Sequence, residues 1–254
     1  MEVSRFLACL AADEGDLRDA VASVEPATPV PTCPGWTVSD LARHVASVYL
    51  SVVTVLRTGE WPHPWPPPAL AAETPLAALG RAYGQLRTEF TARPPDEVAL
   101  TWYEPDQSVA LWVRRMTQET VIHRIDAELA AGLPLTPVPA DLALDGVAEV
   151  LERFLAYGSA TRPDRFASLA GEPLASHDGA ITVLAGPRTW TIRPSPRDVT
   201  VTDGAAAADR ARIEGSPAGV LRWLWGRAGD EAVQLSGDPV WAAYLRRLLA
   251  AATQ

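Results

Sequence analysis

The sequence predicts an α+β protein, with a four-helix bundle at its N-terminus and a smaller α+β domain after it. Up to about residue 131, apolar residues recur with the helical period, and helix caps stand at the breaks. Beyond residue 140, short runs with strand character alternate with helical segments. The segment GLPLTPVPAD, residues 132–141, separates the two patterns, so we expect domains at 1–134 and 135–254.

The first two predicted helices have clear ends. Residues 2–24 carry apolar residues at helical spacing, and Pro26 closes the segment. The second helix begins at Thr37, with Asp40 as its capping-box partner, and ends at Gly59. Its apolar stripe contains one histidine, His44, which we therefore expect to face the bundle core. The other members of the stripe are Leu41, Val45, Val48, Val52 and Val55.

The third and fourth helices follow a proline-rich loop, WPHPWPPP, at residues 61–68. Thr74 caps the third helix, with Pro75 at its first position. Its predicted buried stripe is Leu76, Leu79, Tyr83, Leu86 and Phe90. The fourth helix spans about 107–131. Four amphipathic helices with one inward stripe each are typical of a four-helix bundle.

The second half combines helices with a small sheet. A helix is predicted at about 140–157, and the runs ITVL, TWTIR, DVTVT and ARIE are candidate strands. The first two form a predicted hairpin across AGPR. Two closing helices, SPAGVLRWLWGR and DPVWAAYLRRLLAA, each open with Ser or Asp before Pro, as at a helix N-terminus. This order predicts an α+β domain.

Composition excludes several classes of function. The chain of 254 residues has a formal charge of −9, which argues against nucleic acid or an anionic membrane surface as the main partner. All 22 basic residues are Arg, so no lysine can form a Schiff base. The sequence shows no signal peptide and no apolar run of about 20 residues. We expect a cytoplasmic protein that acts on a small molecule, with Cys9 and Cys33 as free thiols.

The stretch QETVIHRIDAEL contains a candidate metal site. On a helix, Glu119 and His123 differ by about 40° in angle and about 6 Å in rise, so both side chains can reach one point. A carboxylate and an imidazole suit a borderline divalent ion such as zinc. His44 is the natural third ligand, because it faces the same core. Asp126, one turn further along, either orients His123 through a hydrogen bond or is a plain surface charge.

Other interpretations of these residues stay open. His44 could be an ordinary core histidine, and Glu119 with His123 a solvated helical pair. Cys33 precedes a helix, where a thiol can be activated, but the pattern favours a buried inert cysteine. His63 and His177 lie in a loop and a turn and are expected to be exposed, although His63 could line a cleft. The serine-hydrolase elbow and the phosphate-binding loop are both absent from the sequence.

Three blocks of the sequence resemble the mycothiol-dependent maleylpyruvate isomerase family, part of the DinB-like metalloenzyme group: VPTCPGWTVSDLARHVASV, QETVIHRIDAELAAGLPL, and ARIEGSPAGVLRWLWGR followed by VQLSGDP. The resemblance implies a DinB-like bundle and a sterol-carrier-like second domain. It also implies that His44, Glu119 and His123 bind a divalent metal, typically zinc. Arg227, in the LWGR block, is the candidate for binding the thiol or an acidic substrate.

The resulting expectation is a metal-dependent enzyme that uses a low-molecular-weight thiol such as mycothiol. It would transfer sulfur to a small electrophile or isomerise it with the help of the thiol. A thiol-independent hydrolase with the same metal, and a binding protein with a structural metal, remain as alternatives. Two histidines and a glutamate suit zinc but also nickel, iron or cobalt. The motifs do not identify the substrate or the oligomeric state.

Overall fold

The computed structural model describes residues 1–67, 70, 72–170 and 179–253. The chain divides into two compact units, Met1–Thr136 and Pro137–Gln254, whereas the sequence-based boundary lay after residue 134. The architecture combines helices with one five-stranded sheet, which confirms a mixed helix and sheet fold. Among the described residues, no helix is both long and apolar enough to cross a membrane.

The first unit consists mainly of four long helices: α1 (Val3–Ala22), α2 (Val38–Thr58), α3 (Pro75–Ala92) and α4 (Val109–Ala131). The closest packing pairs α1 with α4 and α2 with α3, and α2 also crosses α4. Apolar side chains from all four helices are fully buried between them, among them Leu17, Leu41, Val45, Leu79, Leu86 and Val121. The contact between α2 and α4 places His44 beside the middle of α4.

Local capping sets the ends of these helices. The Thr37 hydroxyl accepts a hydrogen bond from the Asp40 amide, and the Asp40 carboxylate accepts one from the Thr37 amide, which confirms the capping box. Gly59 ends α2 with a left-handed φ of 72°, a conformation that favours glycine. Ser108 caps α4, which therefore begins at Val109. The first residues of α2 and α4, the two helices that carry the candidate site, are thus set by side chains nearby in the sequence.

The expectation that every helix has a single inward stripe is wrong for α4. Its side chains are buried on nearly all sides from Val109 to Glu128. The reason is tertiary packing, because both α1 and α2 pack against α4. Charged residues are buried as a result, and they pair with one another: the Arg124 guanidinium donates to Asp13 at 2.6 Å and to Glu128 at 2.7 Å.

The second unit opens with helical turns of several kinds. Helix α5 (Ala140–Ala148) continues as a π-helical segment, Glu149–Tyr157, and then as α6 (Gly158–Thr161). The sequence predicted a regular α-helix over 140–157. This is wrong for its second half, because Glu149–Tyr157 forms backbone hydrogen bonds of the wider i→i+5 pattern. A 3₁₀ turn and the short α7 (Ala167–Ala170) follow. The predicted turn that contains His177 lies outside the described residues.

The sheet has the strand order β3-β2-β1-β4-β5. Its strands are β1 (Ile181–Ala185), β2 (Arg188–Pro194), β3 (Val199–Asp203), β4 (Ala211–Gly215) and β5 (Gln234–Gly237). The hairpin between β1 and β2 is confirmed, and β1 also pairs with β4 in parallel. Helices α8 (Pro217–Leu224) and α9 (Pro239–Thr253) complete the unit.

Strand β5 was not predicted from the sequence. All four of its residues are exposed, so it lacks the alternation of apolar and polar side chains that marks a half-buried strand. It joins the sheet by antiparallel pairing with β4 at one edge. Backbone pairing of this kind leaves little trace in the side-chain pattern.

Candidate metal centre

His44 of α2 and Glu119 and His123 of α4 meet at one point in the first unit. Glu119 Oε1 lies 3.1 Å from His44 Nε2 and 3.2 Å from His123 Nε2. One potential ligand atom from each of the three residues lies within 4.8 Å of those of the other two. The two α4 residues are one turn apart, and the α2–α4 contact supplies the third.

The second oxygen of Glu119 is held by another residue. Arg115, one turn earlier on α4, donates from Nη2 to Glu119 Oε2. Both side chains are mostly buried, with exposed fractions of 6% for Arg115 and 14% for Glu119. The carboxylate therefore directs one oxygen to the two histidines and the other to a guanidinium.

His123 is held on its opposite edge by Asp126. The contact joins His123 Nδ1 to Asp126 Oδ2 at 2.9 Å, and the Asp126 side chain is fully buried. The alternative that Asp126 is a surface charge is therefore wrong. An ionised carboxylate only accepts, so Nδ1 carries the proton and Nε2 is the nitrogen that can bind a metal in the neutral ring. The Thr32 hydroxyl donates to the other oxygen of Asp126 at 2.5 Å.

A tight turn at residues 30–36 contacts the site from two sides. Hydrogen bonds from the Val30 amide to Trp36 O and from the Cys33 amide to Val30 O close this turn. The Cys33 thiol contacts Asp126 Oδ2 at 3.5 Å, on the Nδ1 side of the His123 ring. Cys33 is half-buried, so the structure does not show the fully buried cysteine that one interpretation expected.

The indole ring of Trp36 lies against both histidines. Its centroid is 4.8 Å from that of His44 and 6.3 Å from that of His123, and the two imidazoles are 5.0 Å apart. An aromatic surface this close removes water from one side of both rings.

Sequence reasoning did not identify Trp36, Thr32 or Arg115 as parts of the site. Only Arg115 has a local signal, since it stands at the i−4 position of Glu119.

The site is strongly polarised without a metal. Burial works to raise the pKa of Glu119, but the neighbouring His123 and Arg115 outweigh it and hold that pKa well below the usual range. Burial works to lower the pKa of His123, but Glu119 and Asp126 outweigh it and raise that pKa to about 9. The metal-free cluster is thus an imidazolium between two carboxylates.

The donor set fits a divalent ion of the zinc type. Zinc binds His nitrogen and carboxylate oxygen at about 2.0–2.2 Å, which in a tetrahedral site separates neighbouring donors by roughly 3.3 Å. The two measured separations of 3.1 and 3.2 Å are close to that value. The cation would replace the proton on Nε2 of His123. The negative charge of Glu119 and Asp126, which stabilises the imidazolium in the metal-free site, would then stabilise the ion.

The remaining candidates lie elsewhere. Two groups of potential metal ligands occur among the described residues: His44 with Glu119 and His123, and Cys33 with His123 and Asp126. His63 is exposed in the proline-rich loop and belongs to neither of these clusters. Cys9 is buried in α1. Arg227 follows α8 in the second unit, where its guanidinium donates to the Trp225 carbonyl at 2.7 Å. Its role in binding a thiol or an acidic substrate stays a prediction.

Comparison with known proteins agrees with the resemblance found in the sequence. Residues 7–128 match the family model described as the mycothiol maleylpyruvate isomerase N-terminal domain. Residues 7–128 belong to this domain family. The match includes all of α2 and the part of α4 up to residue 128, so His44, Glu119, His123 and Asp126 all lie inside it.

Two solved structures share the fold over nearly the whole chain. One is the crystal structure of the mycothiol-dependent maleylpyruvate isomerase, with a TM-score of 0.65, 17% identity and coverage of 93% of each chain. The other is a histidine-to-alanine mutant of that isomerase, with a TM-score of 0.64 and the same identity and coverage. A search of curated proteins finds no significant match. The similarity therefore extends beyond the isomerase N-terminal domain, although at this identity it concerns the fold alone.

Proposed function

We propose that this protein is a metal-dependent enzyme that uses a low-molecular-weight thiol, with mycothiol as the first candidate. Its reaction is S-transfer to a small electrophile or thiol-assisted isomerisation of one. The observation that carries the proposal is the convergence of His44, Glu119 and His123 inside a mycothiol maleylpyruvate isomerase N-terminal domain. Zinc is the first candidate metal, and nickel, iron and cobalt suit the same ligands.

The residues of the site have separate tasks in this proposal. His44, Glu119 and His123 hold the ion, whose positive charge stabilises the thiolate form of a thiol. Asp126 keeps a proton on Nδ1 of His123 and so leaves Nε2 for the ion. The Trp36 ring covers the two imidazoles and excludes water on that side.

The chemistry follows from the nucleophilicity of the thiolate. The thiol releases its proton, and its sulfur would form a bond to an electrophilic carbon of a substrate double bond, while that π bond opens and its electron pair moves onto the rest of the substrate. If the adduct then takes up a proton and leaves, the reaction is an S-transfer. If the sulfur is expelled again after rotation about the bond that addition made single, the product is an isomer and the thiol is regenerated. Neither course consumes an oxidant or a reductant.

The same proposal assigns each of the two units to a particular fold. We infer that the four helices of the first unit form a DinB-like bundle and that the second unit is a sterol-carrier-like domain. Helices α1–α4, with partly or fully buried candidate ligands on the two contacting helices α2 and α4, support the first part. In the second unit, Arg227 is the proposed group for pairing with a carboxylate of the substrate or thiol. Replacing it by Gln should raise KM more than it lowers kcat.

Cobalt substitution tests the thiol directly. Cobalt accepts the same ligands and absorbs visible light. Addition of mycothiol to the cobalt-loaded protein should produce a sulfur-to-cobalt charge-transfer band together with proton release near neutral pH. The Cys33→Ser and Cys9→Ser variants should respond in the same way, because Cys33 lies on the Nδ1 side of His123 and Cys9 is buried in α1.

The same experiment separates the alternatives. If cobalt loads fully and mycothiol changes neither the spectrum nor the proton count, the thiol proposal is wrong. Turnover of a substrate without added thiol would then favour a hydrolase in which the ion activates water. A closed coordination shell together with no reaction toward electrophiles would favour a binding protein with a structural metal.

A further inference from the structure

Arg115 holds the one oxygen of Glu119 that does not face the histidines. The guanidinium Nη2 donates to Oε2, while Oε1 lies between His44 Nε2 and His123 Nε2. The Arg115 side chain is almost completely buried and comes from the same helix, one turn before Glu119. The contact is therefore part of the packed interior of the first unit.

A carboxylate can bind an ion through one oxygen or through both. The second mode requires both oxygens to point at the ion. In this site Oε2 is engaged in a charge-assisted hydrogen bond, and turning it toward the ion would leave a buried guanidinium without this carboxylate partner. The geometry thus opposes two-oxygen coordination by Glu119.

We propose that Arg115 is a positioning residue that keeps Glu119 a one-oxygen ligand and thereby preserves an open coordination position for an exogenous ligand. This inference rests on the proposed function, since it needs an ion at His44, Glu119 and His123. Three protein donors leave a divalent ion of this class unsaturated, whereas a fourth donor from Oε2 would fill the position that an anionic ligand needs.

The competing explanation is that Arg115 only neutralises a buried carboxylate. In that case its removal would lower stability without changing the coordination of the ion. The two explanations differ in the spectrum of the loaded protein rather than in its stability. Arg115→Lys keeps the positive charge but not the planar fork, and Arg115→Gln removes the charge.

The experiment compares cobalt-loaded proteins by visible absorption and by titration with azide, a small anion that binds an open coordination position. For Arg115→Gln we expect weaker visible absorption, because a higher coordination number lowers its intensity, and at least tenfold weaker azide binding. Arg115→Lys should retain most of the unsubstituted behaviour. Arg124→Gln is the matched control, since Arg124 is also buried on α4 and pairs with a carboxylate four residues away, Glu128.

An Arg115→Gln protein that loads cobalt with an unchanged spectrum and unchanged azide affinity would overturn the inference. If the unsubstituted protein fails to load cobalt, the proposed function falls and the inference falls with it, so the two failures are distinguishable. If the Gln variant does not fold, a crystal structure of the unsubstituted cobalt-loaded protein decides. One Glu119 oxygen at ligand distance supports the inference, and two oxygens at that distance overturn it.

Discussion

Asp126 Oδ2 accepts a hydrogen bond from His123 Nδ1 at 2.9 Å inside the packed interior of the first unit. This contact determines which ring nitrogen of His123 is available to a metal. It also joins the turn at residues 30–36 to the site, because Thr32 donates to the other oxygen of the same carboxylate. Thr32 thus influences the candidate metal site through Asp126.

Removal of Asp126 should weaken metal binding. Without its acceptor, His123 can rotate and can carry its proton on Nε2, the nitrogen that the metal needs. Partners of metal-binding histidines typically contribute roughly 10–100-fold in affinity, so we expect a loss of that size for Asp126→Ala. Competition with a chromophoric chelator measures it. Asp96→Ala, at an exposed position, is the control, and equal affinities for both variants would contradict the assigned role.

The purified protein should bind about one divalent metal per chain. Either His44→Ala or His123→Ala removes one of three donors and should lower occupancy strongly, whereas His63→Ala should leave it unchanged, because His63 is exposed and belongs to neither described cluster. Elemental analysis after dialysis gives the occupancy. Full occupancy in the His44→Ala, His123→Ala double variant would show that the metal binds elsewhere.

The metal-free protein should show an unusually basic histidine. The pKa of His123 is raised to about 9 by Glu119 and Asp126, whereas an unfolded histidine titrates near about 6.5. Its protonation therefore contributes stability that is fully present below about pH 6.5 and is lost as the pH rises through 9. By the usual conversion this is on the order of 3 kcal/mol, and it belongs to His123, Glu119 and Asp126 together because the three groups titrate as a coupled set.

Nuclear magnetic resonance of the imidazole Cε1 proton measures this titration. The midpoint for His123 should lie well above 7 in the metal-free protein and should fall in Asp126→Asn, which removes one of the two neighbouring negative charges. Zinc binding at pH 7.5 should release about one proton from this ring. A midpoint near 6.5 in the metal-free protein would contradict the arrangement described for the site.

The helices should persist when the metal is removed. The first unit buries apolar side chains from all four helices, and none of that burial depends on an ion. Chelation should therefore lower the melting temperature while the far-ultraviolet circular dichroism stays helical. A small structural zinc domain behaves differently, because it unfolds without its metal. Loss of the helical signal on chelation would favour the structural-metal alternative.

The predictions that succeeded rest on local interactions. The capping box of Thr37 and Asp40 spans three residues, and Gly59 acts at the end of its own helix. These contacts form wherever the segment becomes helical, so their pattern is visible in the sequence. The helical period also placed Glu119 and His123 on one face of α4.

The features that were missed depend on residues far apart in the chain. Thr32 reaches Asp126 across 94 positions, and Trp36 covers His44 and His123 from a separate turn. Strand β5 forms by backbone pairing with β4, and its own side chains are exposed. No periodicity or motif within a short segment can report such contacts.

The sequence by itself predicted the mixed helix and sheet class, the capping box and the glycine end of α2, and the common face of Glu119 and His123 on α4, because these follow from short-range hydrogen bonds and the helical period. The tertiary structure alone decided that His44 lies within 3.1 Å of Glu119, that Asp126 is buried behind His123, and that Arg115 occupies the second oxygen of Glu119. The physical reason is that packing of α4 against α1 and α2 removes these charges from water, so each one must find a partner of opposite charge or a hydrogen bond.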